Sequence, residues 1–305
     1  MKQFNLEWII DEQDENKLIK QFLKEQHISK TALTDIKFDG GAILLNGEHV
    51  NVRHVLHIGD HLKVIFPKEK PSVDMVPKEI PINIVYEDSF LMLINKQPFL
   101  PTIPSREHPT NSLANGVMSY YQKIGLESTS HIVNRLDRDT SGLLIVAKFR
   151  HIHHLLTEQQ KKGLLKRSYE ALTHGLVLEE MGTINAPIGR KSDSIIERMV
   201  RQDGQDAVTH FKVLKYDEEN NFSHLLIQLE TGRTHQIRVH LSYKGNPLLG
   251  DDLYGGSKKR INRQALHCSK VSFSHPITLE SMNFAIDLPE DMKSLFYNKN
   301  ESEQG

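Results

Sequence analysis

The sequence predicts an α+β protein, with a large domain built on a mixed, mainly antiparallel sheet and preceded by a small α/β module. Three observations carry this. From residue 81 onward, apolar runs of strand length outnumber helical patterns and do not alternate strictly with them, which argues against a doubly wound parallel sheet. Residues 67–80, PKEKPSVDMVPKEI, hold three prolines and six charges with no apolar period, the composition of a semi-stiff linker. The chain has 305 residues, enough for two domains at roughly 150 each.

The elements follow in order. Leu18, Ile19, Phe22 and Leu23 recur on one face of a helix that runs to Lys24. Ser29 is an N-cap residue before Ala32, Leu33 and Ile36, so a second short helix follows. Gly40-Gly41 ends it, Ala42–Leu45 reads as a strand, and Asn46-Gly47 is a hairpin signal because both residues tolerate positive φ. Gly59-Asp60 turns the chain into an alternating strand, His61–Phe66, which closes a module of residues 1–66. In the large domain, residues 81–293, Ile82, Ile84 and Tyr86 alternate and Phe90–Ile94 is a buried strand ending at Lys96. Helices are marked by Leu113, Ala114, Val117, Met118 and Tyr121, and by Ile152, Leu155 and Leu156. Leu143–Ala147, Tyr169–Thr173, Ala207–Leu214 and Phe222–Leu229 read as strands, residues 235–243 as a helix or strand end, and 294–305 as a polar tail.

Composition excludes several classes. The longest apolar runs, Leu143–Ala147 among them, have five residues where a membrane helix needs about 20. The start of the chain turns acidic where a secretory signal turns apolar, so no export signal is expected. The single cysteine, Cys268, makes no internal disulfide, and a reducing cytoplasm is the expected compartment. Net charge is −1, with −2 in residues 1–66 and +2 in 81–293, so net charge neither supports nor excludes a nucleic-acid partner. There is no phosphate-binding G-x-x-x-x-G-K-[ST], no G-x-G-x-x-G after a strand and no G-x-S-x-G elbow, which removes nucleotide-driven, hydride-transfer and serine-hydrolase chemistry from first consideration.

Two polar stretches interrupt the core. His131–Gly142 runs straight into the buried strand Leu143–Ala147 and sets a carboxylate at a strand mouth. A turn in which Asp139, Thr140 and Ser141 bond their own backbone, with Gly142 at positive φ, explains the same residues, and spacing does not separate Asp137 from Asp139 as a reactive group. The second stretch, Glu230–His240, is followed by Leu249–Gly256; its Arg233 and Arg238 carry guanidinium forks suited to carboxylate or phosphate. Glu230, His235 and His240 are also possible zinc ligands, but five-residue gaps do not match the one-turn spacing of H-E-x-x-H. Basic residues cluster at Lys161, Lys162, Lys166 and Arg167 and at Lys258, Lys259, Arg260 and Arg263, where they either track phosphates or form solvated faces.

At these residues the chain resembles a known family. Asn134–Gly142 is similar to the H-R-L-D-x-x-T-S-G signature of the RluA/RluD-type RNA pseudouridine synthases, and Thr231–Leu241 with Gly250–Gly255 is similar to their second long motif. Lys166–Ala171 matches the K-x-Y-x-A strand, Tyr86–Asp88 with Leu93–Lys96 the opening strand, and Ala265–Cys268 with His275-Pro276 the closing one, in family order over about 200 residues. Ile28–Lys30, Leu45–Gly47 and Ile58–Asp60 make residues 1–66 similar to an S4 RNA-binding module. Two departures stand out: Asn134 occupies the usual histidine position, and Lys96-Gln-Pro-Phe99 replaces K-P-x-G.

The resemblance implies the pseudouridine synthase fold and isomerisation of uridine in RNA, with no cofactor and no metal. It implies Asp137 as nucleophile, Tyr169 as the aromatic at the reacting base and Arg238 as the partner of the aspartate. Arg135, Arg233, His235, Gln236, Lys166, Lys258 and Arg260 are the expected substrate-binding residues. Large-subunit ribosomal RNA is the expected partner, with transfer RNA as the alternative. Competing readings are a non-catalytic RNA-binding or ribosome-assembly protein and a metal-dependent hydrolase using Glu230, His235 and His240.

Overall fold

A computed structural model describes residues 3–71, 75–105 and 109–296. The N-terminal part is a four-stranded antiparallel sheet backed by two helices. Its elements are β1 (Asn5–Ile9), α1 (Ile19–Glu25), α2 (Lys30–Phe38), β2 (Ala42–Leu45), β3 (Glu48–His49) and β4 (His61–Ile65), with strand order β1-β4-β2-β3. Ser29 caps α2 by accepting from the Ala32 amide at 3.1 Å, and Asn46 and Gly47 both take positive φ in the β2–β3 hairpin. Ile19, Phe22, Leu23, Ile36, Leu62 and Val64 form a core separate from that of the large domain. Strand β1 is the element the sequence reading passes over. Its alternation spans only five residues before an acidic run, and its strand state comes from pairing with β4.

The segment expected as a linker lies against the large domain. Glu69 bonds His131 and the Arg150 amide, the Asn115 side chain donates to Val76 O at 2.7 Å, and Met75 and Ile80 pack on the large core.

The large domain is laid out as β5 (Ile84–Glu87), β6 (Leu91–Lys96), α3 (Leu113–Ile124), β7 (His131–Ile132), β8 (Ser141–Ala147), α4 (Arg150–Lys161), β9 (Lys166–His174), β10 (Met181–Asn185), β11 (Ile188–Arg190), β12 (Arg198–Val200), β13 (Val208–Asp217), β14 (Phe222–Leu229), α5 (Gln236–Tyr243), β15 (Leu266–Ser274), β16 (Ser281–Ala285) and α6 (Glu290–Lys293). A ten-stranded sheet runs β10-β13-β14-β9-β15-β8-β6-β5, with β16 on β15 and β7 on β8; β11 and β12 form a separate hairpin. Every pairing is antiparallel except β8 with β15, in agreement with the expected mixed, mainly antiparallel sheet. Strand β8 is buried on both faces, as a continuous apolar run requires. α3 begins in a capping box between Ser112 and Asn115 and ends at Gly125 in the left-handed region. Residues 235–243, open between two states in the sequence, form α5. Among the described residues no helix is long and apolar enough to cross a membrane.

Candidate active site

The β7–β8 loop carries Asp137 to the middle of the sheet, where β9, β15 and the start of α5 meet it. Asp137 Oδ2 accepts from Arg238 Nη1 at 3.1 Å. The rest of the Arg238 guanidinium grips Asp251 in a two-point fork, Nε to Oδ2 at 2.7 Å and Nη2 to Oδ1 at 2.8 Å, and the Tyr254 ring lies 4.9 Å from its centre. Asp251 is 1 % exposed and Asp137 half-buried, so one carboxylate fixes the arginine while the other meets solvent. Burial alone would lower the Arg238 pKa; the bonds to Asp251 and Asp137 outweigh it and hold that pKa above its ordinary value.

Tyr169 stands beside this pair, opposite Cys268 across the β9–β15 ladder, at a bulge in β15. Burial raises its phenol pKa, with Arg167 opposing, and Arg167 Nη1 donates to the hydroxyl at 3.2 Å. Period-two alternation along β9 puts Arg167 on the Tyr169 face and Lys166 on the other. Lys166, expected at the substrate, is therefore exposed and does not line the cleft, whereas Arg167 does.

Asp137, Tyr169, Arg238, Arg167, Arg135, Arg233 and His235 line one open cleft of about 70 Å³. Arg135 is exposed on its lip, and Arg233 Nε donates to Asp206 O at 2.9 Å. Gln236 also touches the cleft, but its amide is fully engaged inside the protein. It accepts from Thr231 Oγ1 and the Arg233 amide and donates to Val208 O and Thr209 Oγ1. These bonds hold the 231–236 turn. Lys258 pairs with Asp252 at 2.5 Å and Arg260 donates to Asn220 O at 2.6 Å, both exposed and outside the cleft. Arg263 of the same basic cluster is buried and is no surface contact.

The loop bearing Asp137 is fixed from beneath by two buried cations. Lys96 Nζ donates to Leu100 O at 2.8 Å, Gln97 O at 3.0 Å and Arg138 O at 3.0 Å; burial lowers its pKa to about 7, with Asp137 and Asp139 pulling it up. Arg263 Nη1 donates to Asp139 O at 3.3 Å while its other nitrogens fork onto Asp291 of α6. Thr102 Oγ1 donates to Leu136 O at 2.6 Å. Asn134, at the usual histidine position, accepts from the Ile145 amide at 2.9 Å and ties the loop to β8. Sequence reasoning gives no site role to Asp251, Tyr254 or Lys96, and takes Arg167 and Arg263 only as members of basic clusters that could track phosphates.

The zinc alternative has no support from position. Glu230 pairs with His210, and His240 is buried between Thr209 Oγ1 and Ala186 O. Among the described residues no group of three possible ligands converges. A much larger cleft of about 1100 Å³, lined by Phe4, Phe66 and Phe149 where the N-terminal part meets the large domain, shares no residue with the Asp137 cleft.

Comparison with known proteins gives one answer. The sequence model of the family described as RNA pseudouridylate synthase matches residues 91–243. The chain is 52 % identical over 282 residues to the uncharacterized RNA pseudouridine synthase YjbO of Bacillus subtilis (strain 168), covering 92 % of this chain and 99 % of that one. It is 35 % identical over 265 residues to the ribosomal large subunit pseudouridine synthase D of Pseudomonas aeruginosa, covering 82 % of each. In fold it is similar to human RNA pseudouridylate synthase domain containing 1, with TM-score 0.58 and 24 % identity over 69 % of this chain and 84 % of that one.

Proposed function

The chain belongs to the RNA pseudouridylate synthase family, in its RluA/RluD type, and from that premise we propose that it isomerises uridines of large-subunit ribosomal RNA with Asp137 as nucleophile. The observation that carries the assignment of Asp137 is its carboxylate at the cleft mouth, 3.1 Å from an arginine whose orientation Asp251 fixes. The ribosomal substrate rests on relatives at 33–36 % identity, the ribosomal large subunit pseudouridine synthases D of several bacteria.

The chemistry asks for little beyond these side chains. The C1′–N1 bond breaks, the base turns, and C5 bonds to C1′; one proton leaves C5, one arrives at N1, and no electron is gained or lost. A carboxylate acts at the ribose, either by attacking C1′ or by taking the C2′ proton. Tyr169 supplies an aromatic wall for the uracil, and Arg135, Arg167 and Arg233 stand where phosphates approach. A stacked uridine reaches this cleft only after it is flipped out, at a cost of about a few kcal/mol, which backbone contacts must offset. Lys166, Lys258, Arg260 and the S4-like residues 1–66 supply such contacts on this reading, in the cytoplasm. The test is a position-by-position comparison of pseudouridine in RNA from cells with and without the protein. Loss at large-subunit uridines is expected; loss confined to transfer RNA would move the substrate there, and no loss anywhere would contradict the proposal.

A further inference from the structure

We propose that His235 is a further catalytic residue, a fixed hydrogen-bond donor to the uracil as the C1′–N1 bond breaks, with Tyr254 setting its tautomer. The proposal rests on the isomerase reading above and assigns the ring a task within it.

The backbone gives the first sign. His235 precedes α5 with φ 58 and ψ 20, in the left-handed region that L side chains avoid. Such a conformation persists only where the surroundings impose it, and here the Gln236 network holds the turn on one side and α5 on the other. The effect is to aim the imidazole into the cleft beside Asp137, with 13 % of the side chain exposed.

Hydrogen bonding then fixes the proton. His235 Nδ1 lies 2.8 Å from the Tyr254 hydroxyl, whose oxygen already accepts from the Arg198 amide at 2.9 Å. No other acceptor for the phenol proton stands among the described residues' hydrogen bonds, so the arrangement that satisfies every group has Tyr254 donate to Nδ1. The neutral ring then carries its proton on Nε2. Burial disfavours the charged ring, with Asp137 opposing, which agrees with a neutral donor. Nε2 lies 3.9 Å from Asp137 Oδ2, too far for a hydrogen bond. Its N–H therefore faces the space that Asp137 faces. Arg238 has bonds to both Asp137 and Asp251 and is already committed.

The step follows. With Asp137 set to reach C1′, the uracil carbonyl oxygen O2, two bonds from N1, is the acceptor within reach of His235 Nε2 across the cleft that both residues line. As C1′–N1 breaks, the electron pair moves onto N1 and O2. Nε2–H donates a hydrogen bond to that developing charge and keeps its proton, while Asp137 bonds C1′ or takes the C2′ proton.

The test is single-turnover release of tritium from RNA labelled at uracil C5, paired with RNA-binding measurements. His235→Ala should lower the rate about 100-fold with RNA affinity unchanged to within about twofold, and His235→Gln, whose amide N–H can donate, should recover part of the loss. Nitrogen-15 NMR of histidine-labelled protein, with the His235 signals identified by their loss in His235→Gln, should find the proton on Nε2 in the wild type and a mixture of tautomers in Tyr254→Phe. The NMR result does not depend on activity or on the stability of the alanine variant. A rate for folded His235→Ala within about threefold of wild type, or a wild-type proton on Nδ1, would overturn the proposal. A wild type that releases no tritium from any RNA would instead remove the isomerase reading, and the role of His235 with it.

Discussion

Asp137 and Arg238 stand 101 residues apart in the chain and 3.1 Å apart in the fold. The residues alone leave Asp137 unseparated from Asp139 and Arg238 beside Arg233 as one of two guanidinium forks, and it is the family resemblance that singles out both. Asp251 carries no such mark, because an Asp-Asp pair after a glycine reads as a turn, and only the fold brings its first member under Arg238. Arg167 was legible in principle: if Tyr169 faces the cleft from a strand, the residue two before it shares that face. The resemblance drew attention to Lys166 instead. Phe99 has a consequence of its own. It stands where the similar family has glycine, takes φ 63, and is 56 % exposed, so its ring is buried too little to compensate the strain. Phe99→Gly should raise stability by about 1 kcal/mol in urea denaturation, with unfolded-state entropy cancelling part of the relief. A loss of stability would mean that the ring has a contact worth more than the strain.

At the scale of elements, the strands that build the site were the readable ones. β6 and β8 hold apolar runs buried whatever their partners, and β9 and β14 carry buried apolar residues at strand spacing in Tyr169–Thr173 and Phe222–Leu229, so the sequence marks them. β1, β10, β12 and β16 are short, half-polar and strand-like chiefly by pairing, and no local signal separates them from loops. The junction of β8 and β15 is where the site depends most on one residue. Gly142 has φ 116, and a Cβ there would lie 2.4 Å from Cys268 O and 2.5 Å from Cys268 N. Backbone meets backbone, so neither side can yield cheaply. Gly142→Ala should cost about 2–5 kcal/mol and lower turnover, because parting β8 from β15 displaces the Asp137 loop relative to Tyr169. Wild-type thermal stability in that variant would contradict the close approach.

At the scale of the whole molecule, the two parts meet at the far end of the strand that begins at the site. β8 starts beside the Asp137 loop and runs seven residues, about 20 Å, toward Phe149 and Arg150. There Phe4 stacks on Phe149 with ring centroids 4.4 Å apart, touches Phe66 at 4.8 Å, and Arg150 reaches Asp35 at 3.5 Å. An RNA held both in the cleft and by residues 1–66 must cross that span, which suits a folded RNA better than a short single strand. Net charge could not reveal this partner, since the acidic excess of the N-terminal part cancels the basic excess of the large domain.

The claim on which everything else depends is that Asp137 performs isomerisation. RNA labelled with tritium at uracil C5, drawn from cells lacking the protein so that its target uridines are unmodified, is incubated with wild type and with Asp137→Asn. Release by the wild type is expected, with none above background by Asp137→Asn while the variant still binds RNA. Equal release by both would show that the nucleophile is another residue, and tight binding without release by either would show a protein that holds RNA without changing it.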